Sequence, residues 1–166
     1  MRPATIRPAL EDDAATLIGI LRGIAAERVH TAIDEPWSVE AQRQYIASQS
    51  PREAIFLAEI DGSAVGYQVL SLWAGSIRSM AHVGQLGTFL RPEFRGRGIG
   101  SALFEHALGF ARSHSYRKFV IQVRESNRAA QAFYQRMGFA PCGRLARQVE
   151  IGGVEEDELI LERGIL

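Results

Sequence analysis

The chain has 166 residues, 46% of them apolar, which fits one domain with a sizeable core. Nineteen Lys and Arg balance nineteen Asp and Glu, so bulk binding to nucleic acid or to an anionic membrane is not expected. The one cysteine, Cys142, excludes an intramolecular disulfide and a cysteine-rich zinc site; with no apolar run of roughly 18 residues and no signal-peptide core in MRPATIRPAL, a cytoplasmic protein without membrane span or metal is expected.

Thr5 to Ala9 reads as a short first strand. Asp12 or Asp13 stands where a cap would open a helix with the stripe Leu17, Ile20, Leu21 and Ile24. An irregular stretch from His30 to Trp37 follows. Ser38 opens a second helix through Tyr45 and Ile46, which Pro51 stops. In AIFLAEIDGSAVGYQVLSL two strands flank Asp61-Gly62, a hairpin signal because both turn positions accept positive φ. His82 to Leu90 is predicted as a further strand, in which Gly84 and Gly87 mark a bulge or the close approach of a ligand. A helix with Ile99, Leu103, Ala107 and Phe110 on one stripe comes next, then a strand over Lys118 to Val123. Ser126 or Asn127 caps a helix through Ala130, Phe133 and Met137, and Gly138 suits its left-handed C-terminal cap. Leu145 to Ile151 and Val154 to Leu161 pair across Gly152-Gly153. The order predicts one α/β domain over residues 1–166, a mixed sheet with helices, without repeats or linkers.

Within residues 90 to 104, LRPEFRGRGIGSALF, the run Arg95 to Gly100 places three glycines and two arginines between a strand and a helix. A helix N-terminus offers unpaired N–H groups and a positive dipole end, and glycine lets the backbone approach an anion. Arg95 and Arg97 add charge, so the segment is read as a phosphate or pyrophosphate cradle; the bland alternative is a glycine-rich turn with solvated arginines. No Lys follows as in a P-loop, and G-x-G-x-G is not the G-x-G-x-x-G of a dinucleotide fold.

Arg95-Gly96-Arg97-Gly98-Ile99-Gly100 resembles the R/Q-x-x-G-x-G/A motif of the GNAT superfamily, N-acetyltransferases that use acetyl-CoA. Asn127 followed by Phe133-Tyr134-Gln135-Arg136-Met137-Gly138-Phe139 is similar to the family's second motif, and GRLARQVEIGGVEEDELILE looks like a subgroup of small bacterial-type members. The resemblance implies a mostly antiparallel sheet with two central strands splayed apart by a bulge, and helices on its flanks. It implies that acetyl-CoA lies along Thr88, Phe89 and Leu90, with its pyrophosphate at Arg95 through Ser101 (Arg95, Gly96, Arg97, Gly98, Ile99, Gly100 and Ser101) and further contacts at Asn127, Ala130, Phe133 and Tyr134. Catalytic roles fall to the backbone N–H near Leu90, which polarises the thioester, and to Tyr134, a proton donor to the departing thiolate or else a packed helix tyrosine. Asn127 either touches CoA or caps its helix.

The base is left open. His82 has a suitable pKa class but reads equally as an ordinary strand histidine, while Glu27, His30, Asp34 and Glu35 lie where the family often builds its amine pocket; a chain of waters is a further choice. Glu27, His30 and Trp37 are taken as the acceptor wall, with Trp37 and Tyr45 alternatively covering the core. Cys142 reads as a small, partly buried cysteine rather than a nucleophile. The expected activity is direct acetyl transfer to a primary amine, a small molecule such as an amino acid or amino-acid-like compound. Acylation of a protein N-terminus or lysine, and a non-catalytic acyl-CoA-binding regulatory module, are the alternatives; a homodimer is left open.

Overall fold

The computed structural model describes residues 3–75 and 77–165. In chain order it has β1 (Thr5–Pro8), α1 (Ala14–Ala26), α2 (Val39–Ala47), β2 (Ala54–Ile60), β3 (Ser63–Leu72), β4 (Val83–Leu90), α3 (Ile99–Ser113), β5 (Lys118–Arg124), α4 (Arg128–Arg136), β6 (Ala140–Ile151) and β7 (Val154–Gly164). The strands form one sheet in the order β1-β2-β3-β4-β5-β7-β6, in which every neighbouring pair is antiparallel except β4 and β5.

Alternation along the strands feeds two cores. Ile55, Leu57 and Tyr67 meet the stripe Leu17, Ile20 and Ile24 of α1 on one face. Phe56, Leu70, Leu86, Phe119 and Ile121 meet Ile99, Leu103, Phe104 and Ala107 of α3 on the other. Asp61 and Gly62 take φ of 49° and 76°, and Gly152 and Gly153 take 62° and 78°, so both expected hairpins turn through the left-handed region. Ser38 Oγ accepts from the Ala41 amide at 3.1 Å and caps α2 as expected. Asp13 precedes α1, but its carboxylate turns back to the Leu10 amide and to Arg7 instead of capping the helix.

Three expectations change. β4 begins at Val83, and His82 sits in the turn before it, with its carbonyl accepting from the Arg117 and Lys118 amides. The last hairpin is longer than the hydrophobic runs suggest, because β6 starts at Ala140, directly after the cap at Gly138. No bulge interrupts the β3–β4 ladder, which keeps one register from Leu72↔Gly84 to Gly66↔Leu90. Gly84 serves packing instead: a Cβ there would lie 2.9 Å from Leu70 and 3.0 Å from Tyr116. Among the described residues no helix is long and apolar enough to cross a membrane.

Candidate active site

The sheet opens at its centre. β4 and β5 pair only over Val83↔Lys118, Gly84↔Phe119 and Gln85↔Val120, and beyond that point they separate around a cavity of about 550 Å³. The separation leaves one edge of β4 unpaired. The Arg91 amide donates to Val65 O at 3.0 Å, and in an antiparallel ladder every second residue points its amide to the same side. The amides of Thr88 and Leu90 therefore face away from β3, toward the gap.

The glycine loop closes one end of this cavity. Gly96 and Gly98 take φ of 70° and 81°, while a Cβ at either would meet nothing within 4 Å. Backbone conformation, not crowding within the chain, demands glycine at these positions. Gly98 is the N-cap of α3 and no side chain caps the helix, so its first-turn amides are left for a ligand. Gly100 is needed for fit, since a Cβ there would press to 3.2 Å from the Phe133 ring. Gly96, Gly98, Gly100 and Ser101 all line the cavity, and this uncapped end with its dipole suits a pyrophosphate.

The arginines are placed differently from the expectation. Arg95 lines the cavity, but its guanidinium holds Glu27 through two bonds of 2.7 and 2.6 Å and reaches Leu90 O at 3.2 Å. Arg95 thus ties the loop to the end of α1, and its charge is already matched. About a third exposed, the pair contributes roughly 0.5–1 kcal/mol. Arg97 is outside the cavity with its guanidinium 5.5 Å from the Phe94 ring centre, and Ile99 is buried in the core beneath the loop. Glu27 does not line the cavity. Arg95 beside it holds its carboxyl below the ordinary range, which makes it a poorer base.

Tyr134 reaches the cavity from α4. It is buried, its Oη lies 2.9 Å from Thr88 Oγ1, and Gln68 Nε2 donates to the same threonine oxygen at 2.8 Å. Burial pushes the phenol up to about 12, against the lowering effect of the Thr88 bond. Asn127 performs two tasks. Its Oδ1 accepts from the Ala130 amide at 3.1 Å and caps α4, while Nδ2 donates to His30 O at 3.3 Å. Arg124 fixes the same loop, donating to Arg28 O at 2.7 Å and Thr31 O at 3.0 Å and pairing with Glu156.

The cavity is also lined by Thr88, Phe89, Leu90, His30, Ala130 and Phe133. Trp37 lies elsewhere, on a second cavity of about 190 Å³ between α1, α2, β3 and β4, where it meets Tyr45 edge-on at 5.4 Å. Leu86, Gly87 and Phe89 line both cavities, so β4 is the wall between them. His82 lines neither; it lies at the paired end of β4, which corrects its placement as a candidate base. Cys142 is exposed on β6, not partly buried, because β6 is the edge strand. Gln122, Arg124 and Glu158 line the large cavity and escaped the sequence reading. Glu158 lies in the acid-rich run VEEDELILE, where nothing marks one carboxylate as turned inward.

The family model for the acetyltransferase (GNAT) family matches residues 21–139. The chain belongs to this family. Among relatives of the GNAT chain, an uncharacterized N-acetyltransferase of Methanocaldococcus jannaschii is 34% identical over 90 residues, 52% of this chain and 39% of that protein. The alignment thus spans well under two thirds of the archaeal relative. A peptidyl-lysine N-acetyltransferase of Salmonella typhimurium is 29% identical over 140 residues, 84% of this chain and 85% of the relative. The GNAT fold itself superposes on a phosphinothricin acetyltransferase from Sinorhizobium meliloti, solved in complex with acetyl-CoA, with a TM-score of 0.90, 21% identity, and 99% and 89% of the two chains covered.

Proposed function

We propose that the protein is an acetyl-CoA-dependent N-acetyltransferase acting on a small-molecule primary amine, an amino acid or amino-acid-like compound. The observation that carries this reading is the gap between β4 and β5. It brings the Leu90 amide, the Tyr134 hydroxyl and the uncapped start of α3 onto one cavity. Acetyl-CoA supplies the acetyl group as a thioester. The amides from Gly96 to Ser101 hold its pyrophosphate, and the Leu90 N–H donates to the carbonyl oxygen as negative charge develops there.

Tyr134 serves the leaving sulfur. Either hydroxyl can donate in the Thr88–Tyr134 contact; with Thr88 as the donor, the phenol hydrogen is free for the sulfur. A phenol pushed up to about 12 stays protonated across the working range. Full transfer to a thiolate of ordinary pKa, about 8.5, is uphill, so Tyr134 acts as a charge-assisted hydrogen-bond donor worth about 1.5–3 kcal/mol.

The small size of the second cavity, and its walls of Trp37, Tyr45, Tyr67 and Phe89, support an acceptor with a compact apolar group. The Salmonella relative supports a second reading, acetylation of a protein lysine. A panel of L-amino acids, phosphinothricin, a polyamine and lysine or N-terminal peptides, assayed with acetyl-CoA by thiol release, separates them. Turnover with a small amine is expected. Turnover confined to peptides overturns the small-molecule reading, and acetyl-CoA binding without turnover points to a regulatory module.

A further inference from the structure

Among the described residues Glu158 of β7 is the one buried carboxylate. It is 8% exposed and lines the large cavity. Its Oε2 accepts from Gln122 Nε2 at 2.9 Å, and Gln122 Oε1 accepts from Gln85 Nε2 at 3.2 Å. The three side chains cross β4, β5 and β7 on the face that carries α1 and α2. Gln85 lines the second cavity and Glu158 the first, so the chain of amides joins the two and points its donors at the carboxylate.

What Glu158 lacks is a cation. Among the described residues no Lys, Arg or His forms an ion pair with it, and Gln122 is the side chain that holds it. Arg124, its cross-strand neighbour, is committed to Glu156 and to the carbonyls of Arg28 and Thr31. On β6, Leu145 stands opposite. The other titratable groups on the cavity or its rim are His30, 3.2 Å from Glu27, Tyr134, bonded to Thr88, and Arg136, exposed at the end of α4; Glu27 itself is held by Arg95. A buried carboxylate without a counter-charge is costly unless a ligand supplies one.

We infer that Glu158, held in place by Gln122, binds the ammonium group of the acceptor and takes its proton. The inference rests on the acetyltransferase reading. One ammonium proton passes to the carboxylate and on to solvent. The neutral nitrogen forms its bond to the acetyl carbon as the carbon–sulfur bond breaks. A second N–H proton leaves the nitrogen and ends on the sulfur. The sum is ammonium plus thioester giving amide, thiol and one proton. Burial raises the Glu158 carboxyl above the ordinary glutamate value, which improves it as a proton acceptor near neutrality.

The test compares wild type with Glu158→Gln on the best amine of the panel above and on hydroxylamine, which is uncharged at neutral pH and needs no base. Wild type should show kcat/KM falling on the acid side, at a pH above the ordinary glutamate value of about 4.3. Glu158→Gln should lose about 10²–10⁴-fold with the amine and lose that acid limb. It should retain transfer to hydroxylamine and the thermal shift with acetyl-CoA. Its melting temperature should not fall, because the amide keeps the Gln122 bond and removes a buried charge. Retention of the amine activity, parallel loss of hydroxylamine transfer, or a lowered melting temperature with a lost acetyl-CoA shift would each overturn the inference. Wild-type inactivity toward every acceptor overturns the acetyltransferase reading, and this inference with it.

Discussion

β4 divides two cavities that are built from different materials. On its β5 side the large cavity offers backbone groups to the cofactor: the unpaired Thr88 and Leu90 amides, the left-handed Gly96 and Gly98, and the open start of α3. On its α1 and α2 side the smaller cavity is made of side chains drawn from distant segments, among them Trp37, Tyr45, Tyr67 and Phe89. A backbone site suits a ligand part that never varies, because amides offer the same donors whatever side chains surround them. A side-chain site can be re-lined one residue at a time, which suits the partner that sets specificity. The division predicts that substitutions in the glycine loop act on acetyl-CoA and substitutions at the smaller cavity act on the acceptor, while Tyr134 and Glu158, on the large cavity between them, act on the chemical step.

Gly98→Asp should have the largest effect. It forces a side chain into φ of 81°, a strain of about 1–3 kcal/mol, and sets a negative charge at the proposed anion site. Acetyl-CoA affinity should fall by more than about 100-fold, and calorimetry should no longer detect binding at micromolar ligand. Gly98→Ala carries the strain without the charge and should lose less. Equal losses would mean that conformation alone accounts for the glycine.

Tyr134→Phe comes next. Removing one donor to a charged sulfur should lower kcat by about 10- to 150-fold at saturating acceptor, with acetyl-CoA affinity nearly unchanged. Because burial pushes this phenol up to about 12, it loses its proton only well above the ordinary tyrosine value of about 10. Wild-type kcat should therefore show no alkaline loss from this group below about pH 10. An alkaline limb near pH 8 that Tyr134→Phe abolishes would contradict the burial argument.

Trp37→Ala tests the other side of β4. Trp37 packs edge-on to Tyr45 at the second cavity but is 55% exposed, so only part of its surface is available to an acceptor. Acceptor KM should rise about tenfold, as expected for roughly 1.4 kcal/mol of lost contact, while the acetyl-CoA dissociation constant stays constant. A change that weakens acetyl-CoA and spares the acceptor would break the comparison. Thr88→Val should give the smallest effect, a several-fold fall in kcat, since it removes the oxygen that orients Tyr134 but leaves the phenol.

The sequence by itself carried the strand and helix order, both glycine hairpins and the glycine-rich start of α3. Each rests on a local rule: period two or 3.6, turn residues that accept positive φ, and a helix start without a capping side chain. It also carried Tyr134, through its place in FYQRMGF. Tertiary structure decided the rest. Arg95 looked like a phosphate ligand until Glu27, 68 residues earlier in the chain, was found holding it. His82 looked catalytic until the pairing of β4 with β5 placed it at the closed end of the gap. Glu158 was one acid among several in VEEDELILE until the sheet order set it beside Gln122 and opposite an Arg124 already committed to Glu156. The physical reason is common to all three. A residue's type and local spacing fix its backbone, but its charge partner and its burial depend on contacts between segments far apart in sequence, and those exist only in the folded chain.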